Sequence, residues 1–212
     1  MMTMLGELSA QYESNGDPAC ISDGYGDPGG KSYGTYQFSS NAGSLGQFVS
    51  WLNSNYPQYG EQLNAYPLCS DSFDEAWRNI AASDSDGFAQ AQHEYVKAAY
   101  YDPAVQILAD NYWHIENHHD VLQDVVWSRA VQYGVGNILD MWTEAVHSMF
   151  NAQTGNYDGY PNLSYIDSPE YDYDFIVAVY SVCKTPEWNS SSLRDSLNNR
   201  FDSEMHDALS RL

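Results

Sequence analysis

The sequence predicts a mostly α domain with a glycine-rich loop or small β-hairpin after the first helix. Three observations lead to it. Over most of the chain apolar residues recur at three- and four-residue steps, which places them on one face of a helix. Between residues 17 and 40 the composition changes to Gly, Pro, Asp and Ser, and Tyr33-Gly-Thr-Tyr-Gln-Phe38 is the one strand-like run. Hydrophobic residues make up 43% and aromatics 15% of the 212 residues, too much apolar surface for a disordered chain. At this length one core is expected, so residues 1–212 are predicted to form a single domain.

Leu5, Leu8 and Tyr12 lie on one face of a short helix running to about Ser14, where Asn15-Gly16 can stop it. Glu13 then sits near its C-terminal end. After the glycine-rich stretch, helices are predicted over 44–55, 72–83, 87–101, 103–113, 120–134, 137–150, 174–184 and 191–212. Several begin with Ser, Asp or Asn, whose side-chain oxygens accept from the free amides of a first turn. Residues 154–174, rich in tyrosine, read as a surface loop too long for a simple connector.

Eight basic against 29 acidic residues give a net charge of −21, which repels phosphate backbones and excludes nucleic acid as a natural partner. Anionic membranes and wall polymers are disfavoured for the same reason, leaving neutral or cationic substrates or a separate component that carries the domain to its target. Eighteen Tyr and six Trp suit sugar rings, whose C–H faces pack on flat aromatic surfaces. Cys20, Cys69 and Cys183 are odd in number and widely spaced, so free thiols are expected, without a disulfide framework or metal clamp. No run approaches the roughly 18 apolar residues of a membrane span, and the start lacks a basic region followed by an apolar run. Synthesis in the cytoplasm without a signal peptide is expected, and no cofactor is implied.

A glycosidic bond breaks when its leaving oxygen is protonated while positive charge grows on the sugar, the usual solution being two carboxyl groups in different surroundings. Glu13 and Asp27 are the natural pair. Apolar neighbours would keep a proton on Glu13, whereas Asp27, in a polar glycine-rich turn, would stay ionised and orient or deprotonate water. Ser32 or Thr35 could help to hold that water.

The arrangement resembles the lysozyme superfamily, in which a short helix ends in the catalytic glutamate and leads into a glycine-rich segment lining the cleft. Glu13-Ser14 followed by Gly34-Thr-Tyr-Gln37 resembles the Glu-Ser and Gly-x-x-Gln of lytic transglycosylases and goose-type lysozymes. Asp27-Pro-Gly-Gly-Lys-Ser-Tyr-Gly34 is similar to a segment of phage-type muramidases, one residue shorter and with Ser32 in place of the usual Thr. Trp127-Ser-Arg-Ala-Val-Gln-Tyr-Gly134 resembles a helix behind the cleft in phage wall-lytic domains. The resemblance implies a lysozyme-like fold, with Glu13 as the acid, Asp27 as the water-positioning base and Ser32 as its helper. Tyr25, Tyr33, Gly34, Thr35, Gln37, Gln132 and Tyr133 would bind the substrate. It further implies a muramidase acting on the β-1,4 glycan strand of bacterial peptidoglycan, of endolysin or tail-associated type, acting at the wall after release or on a particle, with a wall-binding or virion component as partner. A lytic transglycosylase, a chitosanase-like hydrolase and a non-catalytic glycan-binding or virion domain remain as alternatives.

Two further runs carry weaker signals. His114-Ile-Glu-Asn-His-His-Asp120 has nitrogen and oxygen ligands but not the His-Glu-x-x-His order of zinc peptidases, and is read as an exposed polar turn before a helix starting near Val121. His93-Glu94 is read as a hydrogen-bonding pair at a core edge.

Overall fold

The computed structural model describes residues 5–6, 16–24, 29–150, 162–190 and 194–212. The chain divides into two compact units, one made of Ala10–Ala98 and the other of Met1–Ser9 with Ala99–Leu212. The chain is mostly helical, and the one sheet among the described residues comes from the glycine-rich stretch.

In the unit 10–98, β1 (Ile21–Ser22), β2 (Ser32–Tyr33) and β3 (Phe38–Ser39) form an antiparallel sheet in the order β1-β2-β3. Ile21 pairs with Tyr33 and Tyr33 with Phe38, while Ser22 pairs with Ser32 and Ser32 with Ser39. The run 33–38 is therefore mainly the turn between β2 and β3 and not a strand. Its physical reason is the left-handed backbone at both ends, φ 73° at Gly34 and 51° at Gln37, which reverses the chain within four residues.

Helix α1 (Ser44–Asn55) buries Leu45, Phe48, Val49 and Leu52. Helix α2 (Pro57–Asn64), absent from the sequence prediction, starts with proline, whose missing N–H costs nothing in a first turn, and buries Tyr59 and Leu63. Helix α3 (Asp71–Ser83) is capped by Ser70, which accepts from the Phe73 amide at 3.2 Å. Helix α4 (Ser85–Val96) is capped by Asp84, which accepts from Gly87 N at 3.1 Å. Their inner faces meet in an aromatic core: Phe38 stacks on Phe48 at 4.5 Å, and Trp77 meets Phe88 and Tyr33 edge-on at 4.8 and 5.2 Å. Such pairs contribute about 0.5–1.5 kcal/mol beyond their burial.

A π-helical turn, Lys97–Tyr101, contains the boundary between the units. The second unit continues with α5 (Asp102–Asp110), α6 (Val121–Tyr133), α7 (Ile138–Met149), α8 (Asp172–Cys183) and α9 (Arg194–Leu209). Helix α6 buries side chains around most of its circumference, including Val121, Val125, Trp127 and Arg129, so it is a central helix without the stripe of a surface one. Of the expected loop 154–174, residues 162–171 fold into two short 3₁₀ turns with Leu163 and Ile166 buried. No helix among the described residues is long and apolar enough to cross a membrane. Cys20, Cys69 and Cys183 are free.

Candidate active site

Glu13, Tyr25 and Asp27 lie outside the described residues. The other expected site residues fall into two groups. Ser32, Tyr33, Gly34, Thr35 and Gln37 are gathered on β2 and the turn that follows; Gln132 and Tyr133 end α6 in the other unit.

The β2–β3 turn is fixed from behind by buried polar groups. Gly34 N donates to Cys20 O at 2.7 Å, and a side chain at Gly34 would collide with the amide oxygen of Gln92. Gln92, on α4 and fully buried, accepts from Thr35 N at 2.8 Å and donates to Pro18 O at 3.1 Å. The Trp77 indole donates to the same Pro18 carbonyl at 2.9 Å. Gln37 turns its amide nitrogen inward, to Gly34 O at 2.9 Å and the Cys20 sulfur at 3.5 Å, so that part of the side chain belongs to the turn.

Tyr33 is fully buried. Its hydroxyl donates to Asp74 Oδ1 on α3 at 2.6 Å, and burial first, then this bond, pushes the phenol far above its ordinary range, leaving a neutral donor. Tyr33, expected to bind the substrate, is instead packed inside, with Phe73 and Trp77 meeting its ring edge-on. Lys31 donates to the other oxygen of Asp74 at 2.7 Å, a bond that raises the lysine's pKa, and to Cys69 O at 3.2 Å. Thr35 is also buried, at 7% exposure, and Ser32 lies between the two tethered residues at 9%. Tyr36, which the sequence reading passed over, sets its hydroxyl 2.9 Å from His93 Nδ1. Burial pushes His93 below the usual imidazole range, so the ring is neutral near neutral pH.

In the second unit Tyr133 lines a groove of about 650 Å³ with Asn137, Asp140, Glu144 and Trp188. Trp188 meets Tyr133 edge-on at 5.4 Å and donates its indole N–H to Glu144 at 2.6 Å. The same unit holds the histidine run, a short 3₁₀ turn before α6 whose Glu116, Asn117, His119 and Asp120 are exposed, as expected, while His118 is buried. His114 Nδ1 lies 2.8 Å from Asp167, while His118 Nδ1 and His119 Nδ1 lie 2.6 and 2.7 Å from the two oxygens of Asp172. His118 also stacks on Trp113 at 4.3 Å. Burial alone would raise the Asp172 pKa, but the bonds from His118 and His119 outweigh it and hold the carboxyl low. Among the described residues no group of His, Cys, Asp and Glu could hold a metal ion.

The fold is similar to that of a solved chitosanase complex, with a TM-score of 0.52 at 17% identity over 93% of this chain and 83% of that one. It is lysozyme-like, mostly α with a small sheet after the N-terminal segment. Over 131 residues, 61% of the chain, the sequence is 34% identical to the type VI secretion system spike protein VgrG3 of Vibrio cholerae serotype O1. The match spans only 12% of that relative's length. Residues 5–205 match the family described as type VI secretion system spike protein VgrG3-like, C-terminal, and the chain belongs to that family.

Proposed function

We propose that this chain is a glycoside hydrolase that cuts the β-1,4 glycan strand of peptidoglycan between N-acetylmuramic acid and N-acetylglucosamine, and that residues 1–212 act as one catalytic module. Glu13 protonates the leaving oxygen, Asp27 orients the attacking water, and Ser32 helps to hold that water. Asp74 has both oxygens engaged by donors and serves as an anchor; the acid role of Glu13 rests on the resemblance of Glu13-Ser14 to the Glu-Ser of lytic transglycosylases and goose-type lysozymes. The observation that supports the reading best is the folding of the glycine-rich stretch after Glu13 into a tethered antiparallel sheet, in a chain whose fold resembles a chitosanase. A secretion spike takes the place of the expected phage particle as the carrier, because the family is one of spike C-terminal domains; the comparisons give no support to a phage or endolysin setting.

Glu13→Gln keeps the shape and removes the transferable proton, so turnover is expected to fall by about 10²-fold or more with glycan binding retained. Retention of more than about a tenth of the activity would remove Glu13 as the acid. Mass analysis of digested peptidoglycan decides the chemistry: reducing muramic ends support a hydrolase, anhydro ends a transglycosylase, and released peptides neither. A chitosanase-like activity is the second reading, favoured by the charge of −21, which attracts a polycationic sugar polymer. Chitosan cleavage that falls as salt rises, with intact peptidoglycan untouched, would select it.

A further inference from the structure

Lys31, just before β2, and Tyr33, within it, flank Ser32, and neighbouring side chains along a strand point to opposite faces, which sets Ser32 against Tyr33. Both neighbours end on a single carboxylate. Tyr33 donates to Asp74 Oδ1 at 2.6 Å and Lys31 to Asp74 Oδ2 at 2.7 Å, with Asp74 only 7% exposed. The two bonds reach across 41 and 43 residues of sequence, from β2 and the residue before it to α3, so they do not arise from local chain geometry. Next along the chain, Gln92 holds the Thr35 amide at 2.8 Å, closing the segment from α4 as well. Among the described residues the Ser32 hydroxyl enters none of these bonds, although the residues on either side of it are tied down.

We infer that Asp74 is a positioning residue for the glycosidic cleavage: by gripping both neighbours of Ser32 with its two oxygens, it fixes the rotation of β2 and turns the Ser32 hydroxyl to the opposite face, where a water or substrate oxygen is held. The inference rests on the glycosidase reading proposed above. Loosening either grip lets the strand rotate, and misplacement of a catalytic contact by about 1 Å can cost about 10²-fold in rate. Asp74→Asn keeps the side-chain shape and an oxygen for Tyr33 but loses the ion pair with Lys31. Lys31→Met releases one grip only, at a side chain that is 28% exposed.

A double-mutant cycle on soluble peptidoglycan fragments separates this role from a structural one. Asp74→Asn is expected to lower kcat by about tenfold with KM within about twofold, the pattern of an interaction made in the transition state. In a Ser32→Ala background the same change should cost nothing more, because the group it positions is gone. Losses that multiply in the double variant, or a Ser32→Ala enzyme with wild-type kcat, overturn the inference and leave the glycosidase reading standing. A wild-type protein that leaves the glycan uncut removes both. Should Asp74→Asn fail to fold, Lys31→Met runs the same cycle: a severalfold loss of kcat that vanishes in Ser32→Ala supports the inference, and one that multiplies overturns it.

Discussion

The two units bury polar groups for different ends. In the unit 99–212, charged side chains answer one another across helices. Glu204 on α9 is fully buried and accepts from Arg129 and from Ser128 at 3.0 Å, both on α6, and from Arg200 at 2.7 Å. The Arg129 guanidinium also lies over the rings of Tyr180 and Phe201, at 4.9 and 5.0 Å. In the unit 10–98, Gln92 and Trp77 spend their polar atoms on backbone groups of a segment with little regular structure, and Asp74 grips a two-residue strand. The first arrangement fastens helices that packing already orders. The second shapes a stretch with little regular structure, whose apolar anchors Tyr33 and Phe38 enter the core while its backbone groups are met by side chains.

If that contrast is right, the largest effect should come from Glu204→Ala. An uncompensated Arg129 at 0% exposure is expected to cost roughly 3–5 kcal/mol in urea unfolding of the second unit. Replacing both partners with apolar residues of similar volume, Arg129→Met with Glu204→Leu, should recover most of it. A loss below about 1 kcal/mol for Glu204→Ala would break the comparison, since a pair of that size is no better than a surface one. Gln92→Leu comes next. It removes the bond that Gln92 makes to the Thr35 amide, at about 1–3 kcal/mol, while Pro18 O keeps the Trp77 indole. No second substitution can rescue it, because the partner is backbone.

The smallest effects are pH-dependent and opposite in sign. The bond to Asp167 raises the His114 pKa above its ordinary 6.5, so that pair contributes fully below 6.5 and its contribution is lost as pH rises through the higher folded value. Burial lowers the His93 pKa, so its neutral form is the folded one, and stability is lost as pH falls from 6.5 toward the lower folded value. Because His114 is 40% exposed, solvent screens its part, and the acid-side loss in the first unit should be the easier to detect. NMR titration of both rings beside hydrogen exchange in each unit measures this, and equal midpoints would erase the distinction.

The same contrast explains what the sequence made legible. Helix α1 was readable to the residue because Leu45, Phe48, Val49 and Leu52 repeat the helical step. Helix α2 was not, because Pro57 and Gly60 look like breakers until the proline is seen to occupy the first turn. Ser32 and its neighbours could be singled out as a segment, but not Asp74 or Gln92, which lie 41 and 57 residues from the groups they hold. Tyr33 was misplaced for a related reason: its position in the motif beside Ser32 carries no information about which way its ring points. Arg129 and Glu204, 75 residues apart, and the burial of His118 were equally beyond any local pattern.

The three thiols give each unit its own chemical clock. Cys20 and Cys69 are half-buried in the unit 10–98, whereas Cys183 is sealed in the other unit beside Arg129 and Met141. A thiol reagent should therefore modify two sites in the native protein and reach the third only during openings of the second unit. The slow step then reads the opening of the α6–α9 core without any engineered label, and Glu204→Ala should quicken that step while leaving the two earlier ones at their native rates.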